Sequence, residues 1–122
     1  MTAATRDDVP VALGGDGVEV RTMPIGDGMS ISYITLPQGA DMAPALKGLP
    51  DDACQCPQHW GYLLKGRIRM RAASGEEEYE AGQAYYWGPG HVPLAPADTE
   101  LVEFSPDADF RHVIDHVVAQ AG

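Results

Sequence analysis

The stretch Leu46 to Gly66, LKGLPDDACQCPQHWGYLLKG, holds both cysteines of the chain, one of its four histidines and an apolar run that reads as a buried strand. Cys54 and Cys56 are one residue apart. In extended backbone, side chains at i and i+2 project to the same face, so the two sulfurs converge on one point. Such close neighbours are poorly placed for a structural disulfide, and a reduced pair with metal-ligand spacing is the better reading. His59-Trp60-Gly61-Tyr62-Leu63-Leu64-Lys65 then reads as a central strand, with Gly66 as a tight turn or bulge.

Downstream, Arg67, Arg69 and Arg71 alternate with Ile68, Met70 and Ala72, which puts the arginines toward water and the apolar residues toward a core. Ser74-Gly75 turns this strand into Glu76-Glu77-Glu78-Tyr79-Glu80, an acidic run placed for cross-strand pairing with the arginines. Ala84-Tyr85-Tyr86-Trp87 is a short aromatic strand, Gly88-Pro89-Gly90-His91 a turn, and Thr99 to Phe104 a last strand. Ser105 is placed as an N-cap and Pro106 at the first helical position. Phe110, Val113, Ile114, Val117 and Val118 form one apolar stripe, so a helix is expected over about 106–119. His112 and His116 share a face of that helix among acids and read as solvated.

Upstream, residues 1–8 are polar and read as a flexible tail, leaving 9–122 as a single domain. Gly14, Gly15 and Gly17 read as a turn before the alternating strand Val18 to Met23, which Pro24 ends. Met29 to Leu36 switches parity near Tyr33, as a strand covered on both faces or one with a bulge would. Pro37 to Asp52 reads as a long irregular connection.

With 122 residues, 14 glycines and 10 prolines spread between short apolar runs, one all-β domain is implied. A net charge of -10 argues against a nucleic-acid partner. No apolar run approaches the roughly 18 residues of a membrane span, and MTAATRDDVP lacks the marks of a signal peptide, so a cytoplasmic location and no membrane partner are expected. There is no phosphate-binding glycine loop, serine elbow or obvious catalytic carboxylate pair.

A histidine-bearing strand followed by a Gly-turned hairpin, with a Gly-Pro-Gly-His turn about thirty residues on, resembles the cupin superfamily over roughly Met29 to Pro106. Cupins carry a pair of histidines one residue apart, then a glutamate, then a glycine seven residues later, and a second Gly…Pro-x-Gly motif ending in a histidine. Here Cys54 and Cys56 resemble the histidine pair, and His59, seven residues before Gly66, takes the place of the glutamate. Gly82 and Gly90 match the glycines of the second motif. Pro93 stands where its histidine falls, with His91 as the nearest substitute. The resemblance implies an all-β, cupin-type double-stranded β-helix (jelly-roll barrel) with a C-terminal α-helix, and a metal site inside it formed by Cys54, Cys56, His59 and His91.

Two thiolates and two imidazoles favour zinc, with copper or iron as alternatives. If all four bind, the shell is closed. Should Cys54 point away, Cys56, His59 and His91 leave a position open for substrate. Continuous strand parity would turn His59 away from Cys56, so Pro57 and Gln58 must bend the chain. Trp60, Tyr62, Tyr85 and Trp87 are the expected pocket lining, and Glu100 or Glu103 is the available general base if it turns inward. The implied function is a metal-binding small cupin of undetermined activity that also takes a small organic molecule. A metal-dependent oxygenase or isomerase, and a metal-free redox or interaction module, stay open as alternatives. Exposed strand edges and the resemblance imply a homodimer.

Overall fold

The computed structural model describes residues 1–121. Nine strands run among them: β1 Val11–Gly15, β2 Val18–Gly26, β3 Met29–Leu36, β4 His59–Lys65, β5 Arg67–Ala72, β6 Gly75–Glu80, β7 Ala84–Trp87, β8 Val92–Leu94 and β9 Thr99–Pro106. A one-turn helix α1, Ala43–Leu46, lies in the long connection, and α2, Asp107–Ala121, follows β9. The strands make two antiparallel sheets, β1-β2-β3-β9-β4-β7 and β6-β5-β8. The sheets enclose Leu36, Leu63, Ile68, Met70, Tyr85, Trp87 and Leu101, a core that is all-β and barrel-like as expected. No helix among the described residues is long and apolar enough to cross a membrane.

Local chemistry explains most of the boundaries. Asp16-Gly17 and Asp27-Gly28 carry positive φ at both positions, the geometry of two-residue hairpin turns whose twist suits the flanking strands. The β5–β6 hairpin pairs Arg67, Arg69 and Arg71 with Glu80, Glu78 and Glu76. Arg67 and Arg69 both reach Glu78 at 3.6 Å. These pairs are exposed, so each contributes no more than about 1 kcal/mol.

Several expectations need correction. Gly14 and Gly15 belong to β1, a strand that their glycines disguise as part of the turn. Pro24 lies within β2. The β1 pairing stops at Arg21, so the missing N–H of Pro24 leaves no ladder bond unmade on that side. β3 has no bulge. Its register with β9 is unbroken, and Ser30, Ile31 and Ser32 are all buried, so it is covered on both faces. Ser105 is no N-cap, because pairing of Ser30 with Ser105 and Met29 with Pro106 holds both residues extended, and α2 begins at Asp107. On α2, Phe110, Val113, Ile114 and Val117 are buried, but Val118 is exposed. In residues 1–8, Arg6–Asp8 forms a 3-10 turn. Arg6 reaches Glu19 at 2.7 Å, and the Tyr33 hydroxyl donates to the carbonyl of Ala4.

Candidate metal centre

Three donors come together at one end of the barrel. Sγ of Cys54 and a ring nitrogen each of His59 and His91 lie within 4.8 Å of one another, and all three residues are buried. Cys54 arrives there through its backbone. Its N–H donates to the carbonyl of His91 at 2.9 Å, and its own carbonyl accepts from the N–H groups of Gly90 and His91 at 2.8 and 3.3 Å. The Gly88-Pro89-Gly90 turn, with Gly90 at φ 88°, thus delivers a histidine and the thiolate loop to the same place. His59 opens β4 just after a bend at Pro57, which places its ring on the inner face as the parity argument required.

Behind His59 stands a residue that the sequence offered only conditionally. Glu103 turns inward from β9 and is 3% exposed, while Glu100 has the opposite parity. Its Oε2 lies 3.0 Å from His59 Nδ1, and its Oε1 accepts from the Tyr85 hydroxyl at 2.8 Å. Ser105 Oγ is 2.6 Å from the same Nδ1. With Nδ1 committed to oxygens, Nε2 faces Cys54 Sγ at 3.3 Å. His91 is fixed the same way, its Nδ1 donating to the carbonyl of Gly88.

Gly61 makes this arrangement possible. A Cβ there would stand 2.4 Å from the Tyr85 ring and 2.6 Å from the carbonyl of Val102, so only glycine lets Tyr85 cross β4 to reach Glu103.

Charge follows from contact. Burial alone would push the Cys54 thiol up, but hydrogen bonds from His59 and His91 and their charges outweigh it and bring the thiol down to about 6. Burial would likewise lower His59, yet the Glu103 carboxylate beside it and the bonds to sulfur hold the imidazole well above its usual range. Glu103 is lowered despite burial, first by the charge of His59 and then by the hydrogen bonds that His59 and Tyr85 donate to it. Tyr85 is raised by burial and by the neighbouring carboxylate.

The remaining expected site residues divide. Cys56, expected as a fourth donor, is buried with its Sγ 3.7 Å from the carbonyl of Gln58 and is not among the three donors that converge. Trp87 lines the cavity beside the trio, whereas Tyr85 is stacked on Trp87 with its hydroxyl on Glu103. Trp60 and Tyr62 are not pocket lining. They are 54% and 44% exposed on the outer face of β4, because the period of two that turns His59 inward turns them out. Glu103 and Ser105 carried a readable signal, since alternation along β9 puts both on the face of Leu101.

The cavity measures about 90 Å³ and is bounded by Leu13, Val20 and Leu101 on the barrel side, by Leu46 of α1 and by Phe110, Val113, Ile114 and Val117 of α2. On the far side of Trp87 and His91 opens a second cleft of about 250 Å³, lined by Met70, Glu77, Tyr79 and Tyr86.

Comparison with known proteins agrees with this fold. No family model and no curated protein matches the sequence. Among solved structures, an RmlC-like cupin from Shewanella frigidimarina superposes with a TM-score of 0.61 at 14% identity, over 84% of this chain and 88% of the other. A cupin 2 conserved barrel domain protein from Salinispora arenicola gives 0.59 at 13% identity, over 98% and 96%. A variant of the oxalate decarboxylase of Bacillus subtilis gives 0.66 at 17% identity, over 88% of this chain but 29% of the decarboxylase. The chain has the cupin fold.

The donor set fits a transition-metal ion. Zinc bonds of about 2.3 Å to sulfur and 2.0–2.1 Å to nitrogen at a tetrahedral angle would set S and N about 3.6 Å apart, and Cys54 Sγ and His59 Nε2 stand 3.3 Å apart. A ring nitrogen anchored on a carboxylate is the arrangement that orients metal-binding histidines and strengthens them as donors.

Proposed function

We propose that this chain is a metal-binding cupin in which Cys54, His59 and His91 hold a transition-metal ion, zinc ahead of copper or iron, next to a cavity for a small organic molecule. One observation carries the reading: both imidazoles spend Nδ1 on oxygen acceptors, so that their other nitrogens are left to meet a thiolate at one point. An ion held by three protein donors keeps a fourth position for a ligand and would polarise an oxygen placed there. That vacancy, together with the buried Glu103, also supports the second reading, a metal-dependent oxygenase or isomerase acting on a small molecule. Oxalate decarboxylase is one enzyme built on this fold. The free thiols support a reducing, cytoplasmic setting. Exposed Trp60, Tyr62, Tyr86 and Phe104 on one sheet face support a homodimer.

Elemental analysis of protein purified without an affinity tag tests the proposal. Wild type and Cys56→Ser are expected to carry one ion per chain, whereas Cys54→Ser and His59→Ala lose it. A metal-free wild type, or retention by both Cys54→Ser and His59→Ala, would sink it.

A further inference from the structure

The cavity beside the three donors is divided chemically. Its ionisable groups, Cys54, His59, His91 and Glu103, gather at one end, and the rest of the wall is overwhelmingly hydrocarbon. Resting on the metal reading above, we infer that the ligand taken here is a short aliphatic molecule ending in a neutral oxygen donor, an alcohol, aldehyde or ketone of about four carbons, and neither a carboxylate nor a polyol.

Volume sets the length. An apolar cavity of about 150 Å³ accommodates benzene, so 90 Å³ suits a chain of four carbons or so. Lining sets the tail: hydroxyls spread along a polyol would meet Leu46, Leu101 and Val113 with nothing to bond, and each unpaired group costs about 1–3 kcal/mol.

Charge balance sets the head group. A metal-bound thiol is deprotonated outright. Glu103 accepts from His59 on one oxygen and from Tyr85 on the other, the pattern of a carboxylate. With His59 bound through Nε2 as the neutral imidazole, two anions and one divalent ion sum to zero, and a carboxylate ligand would leave net negative charge in a buried site, where unpaired charge is heavily penalised. A neutral oxygen adds none. The tail then lies against Phe110, Val113, Ile114 and Val117 of α2. The far end of that helix is tied down by His116 Nε2, 2.8 Å from the carbonyl of Lys47, and by Gln120 on the same carbonyl.

Cobalt(II)-loaded protein gives a direct reading, because its visible bands respond to the ligand in the fourth position. Titration with straight-chain alcohols from ethanol to 1-hexanol should shift the bands saturably, with affinity rising about fourfold per methylene up to 1-butanol and falling beyond it. Butanal should bind like 1-butanol. Butyrate and glycerol should bind at least about tenfold more weakly. Val113→Phe, or Val117→Phe if the first fails to fold, should weaken 1-butanol binding by about tenfold or more and leave cobalt content unchanged. Butyrate or glycerol binding as tightly as 1-butanol, or affinity indifferent to chain length, overturns the inference. Bands that respond to none of these compounds overturn it alone. Failure to take up cobalt overturns the metal reading along with it.

Discussion

On the inner face of β4 and β9, His59, Glu103 and Ser105 are buried and joined by contacts of 2.6 and 3.0 Å at one ring nitrogen, while one residue along, on the outer face, Trp60, Tyr62 and Phe104 stand exposed. Trp60 pairs with the Tyr86 ring, centroids 4.7 Å apart. Both faces are built from the same two strands, and parity alone separates them. The inner groups have left water, so each depends on its partner for the interactions it gave up, and losing one strands the other. The outer aromatics remain solvated and have little to lose. Trp87 and Tyr85 mark the site while Trp60 and Tyr62 do not, so strand parity, and not aromatic character, tells where the chemistry lies.

The largest effect should come from cutting the inner network. Glu103→Leu leaves His59 and Tyr85 without their acceptor, and a loss of about 3–5 kcal/mol in urea unfolding is expected. A loss below about 1 kcal/mol would break the contrast between the faces. Next comes Gly61→Ala, whose methyl group would meet Tyr85 and the carbonyl of Val102, for a loss of about 1–3 kcal/mol by the same measurement.

The pH dependence of the metal-free protein sharpens the comparison further. Cys54 is a thiolate down to about 6 when folded, so its share of stability is present above the ordinary thiol range and is lost as pH falls through about 6. His59 is raised, so its share is full below the ordinary imidazole range and declines as pH climbs above it. Between about pH 6.5 and 8.5 the two slopes oppose each other, and the urea midpoint should stay flat. Cys54→Ser removes one slope, and stability should then fall as pH rises through that window. The smallest effect belongs outside: Trp60→Ala should change the stability of the monomer by no more than about 0.5 kcal/mol.

Much of the fold could be read from alternation. β2, β5 and β9 carry period-two patterns, and the arginine and glutamate runs marked β5 and β6 as partners across a hairpin. β1 was hidden by Gly14 and Gly15, which have no side chain to alternate. At the site, the convergence of a thiol with His59 and His91 was legible, but the i, i+2 rule treats Cys54 and Cys56 alike. What distinguishes them is a backbone bridge from Cys54 to His91, a pairing across distant sequence that no local pattern encodes. Ser105 was assigned to the helix by its capping chemistry, and its pairing with Ser30 overrode that preference.

That same bridge bears on how an ion would be received. Because Cys54 is laced to Gly90 and His91 by main-chain bonds, the sulfur and one imidazole are docked together by backbone pairing that needs no side-chain ligand. The entropy of assembling the donors has already been spent in folding. The ion would enter a finished seat instead of drawing a loop closed around itself, so it should come and go without the barrel loosening.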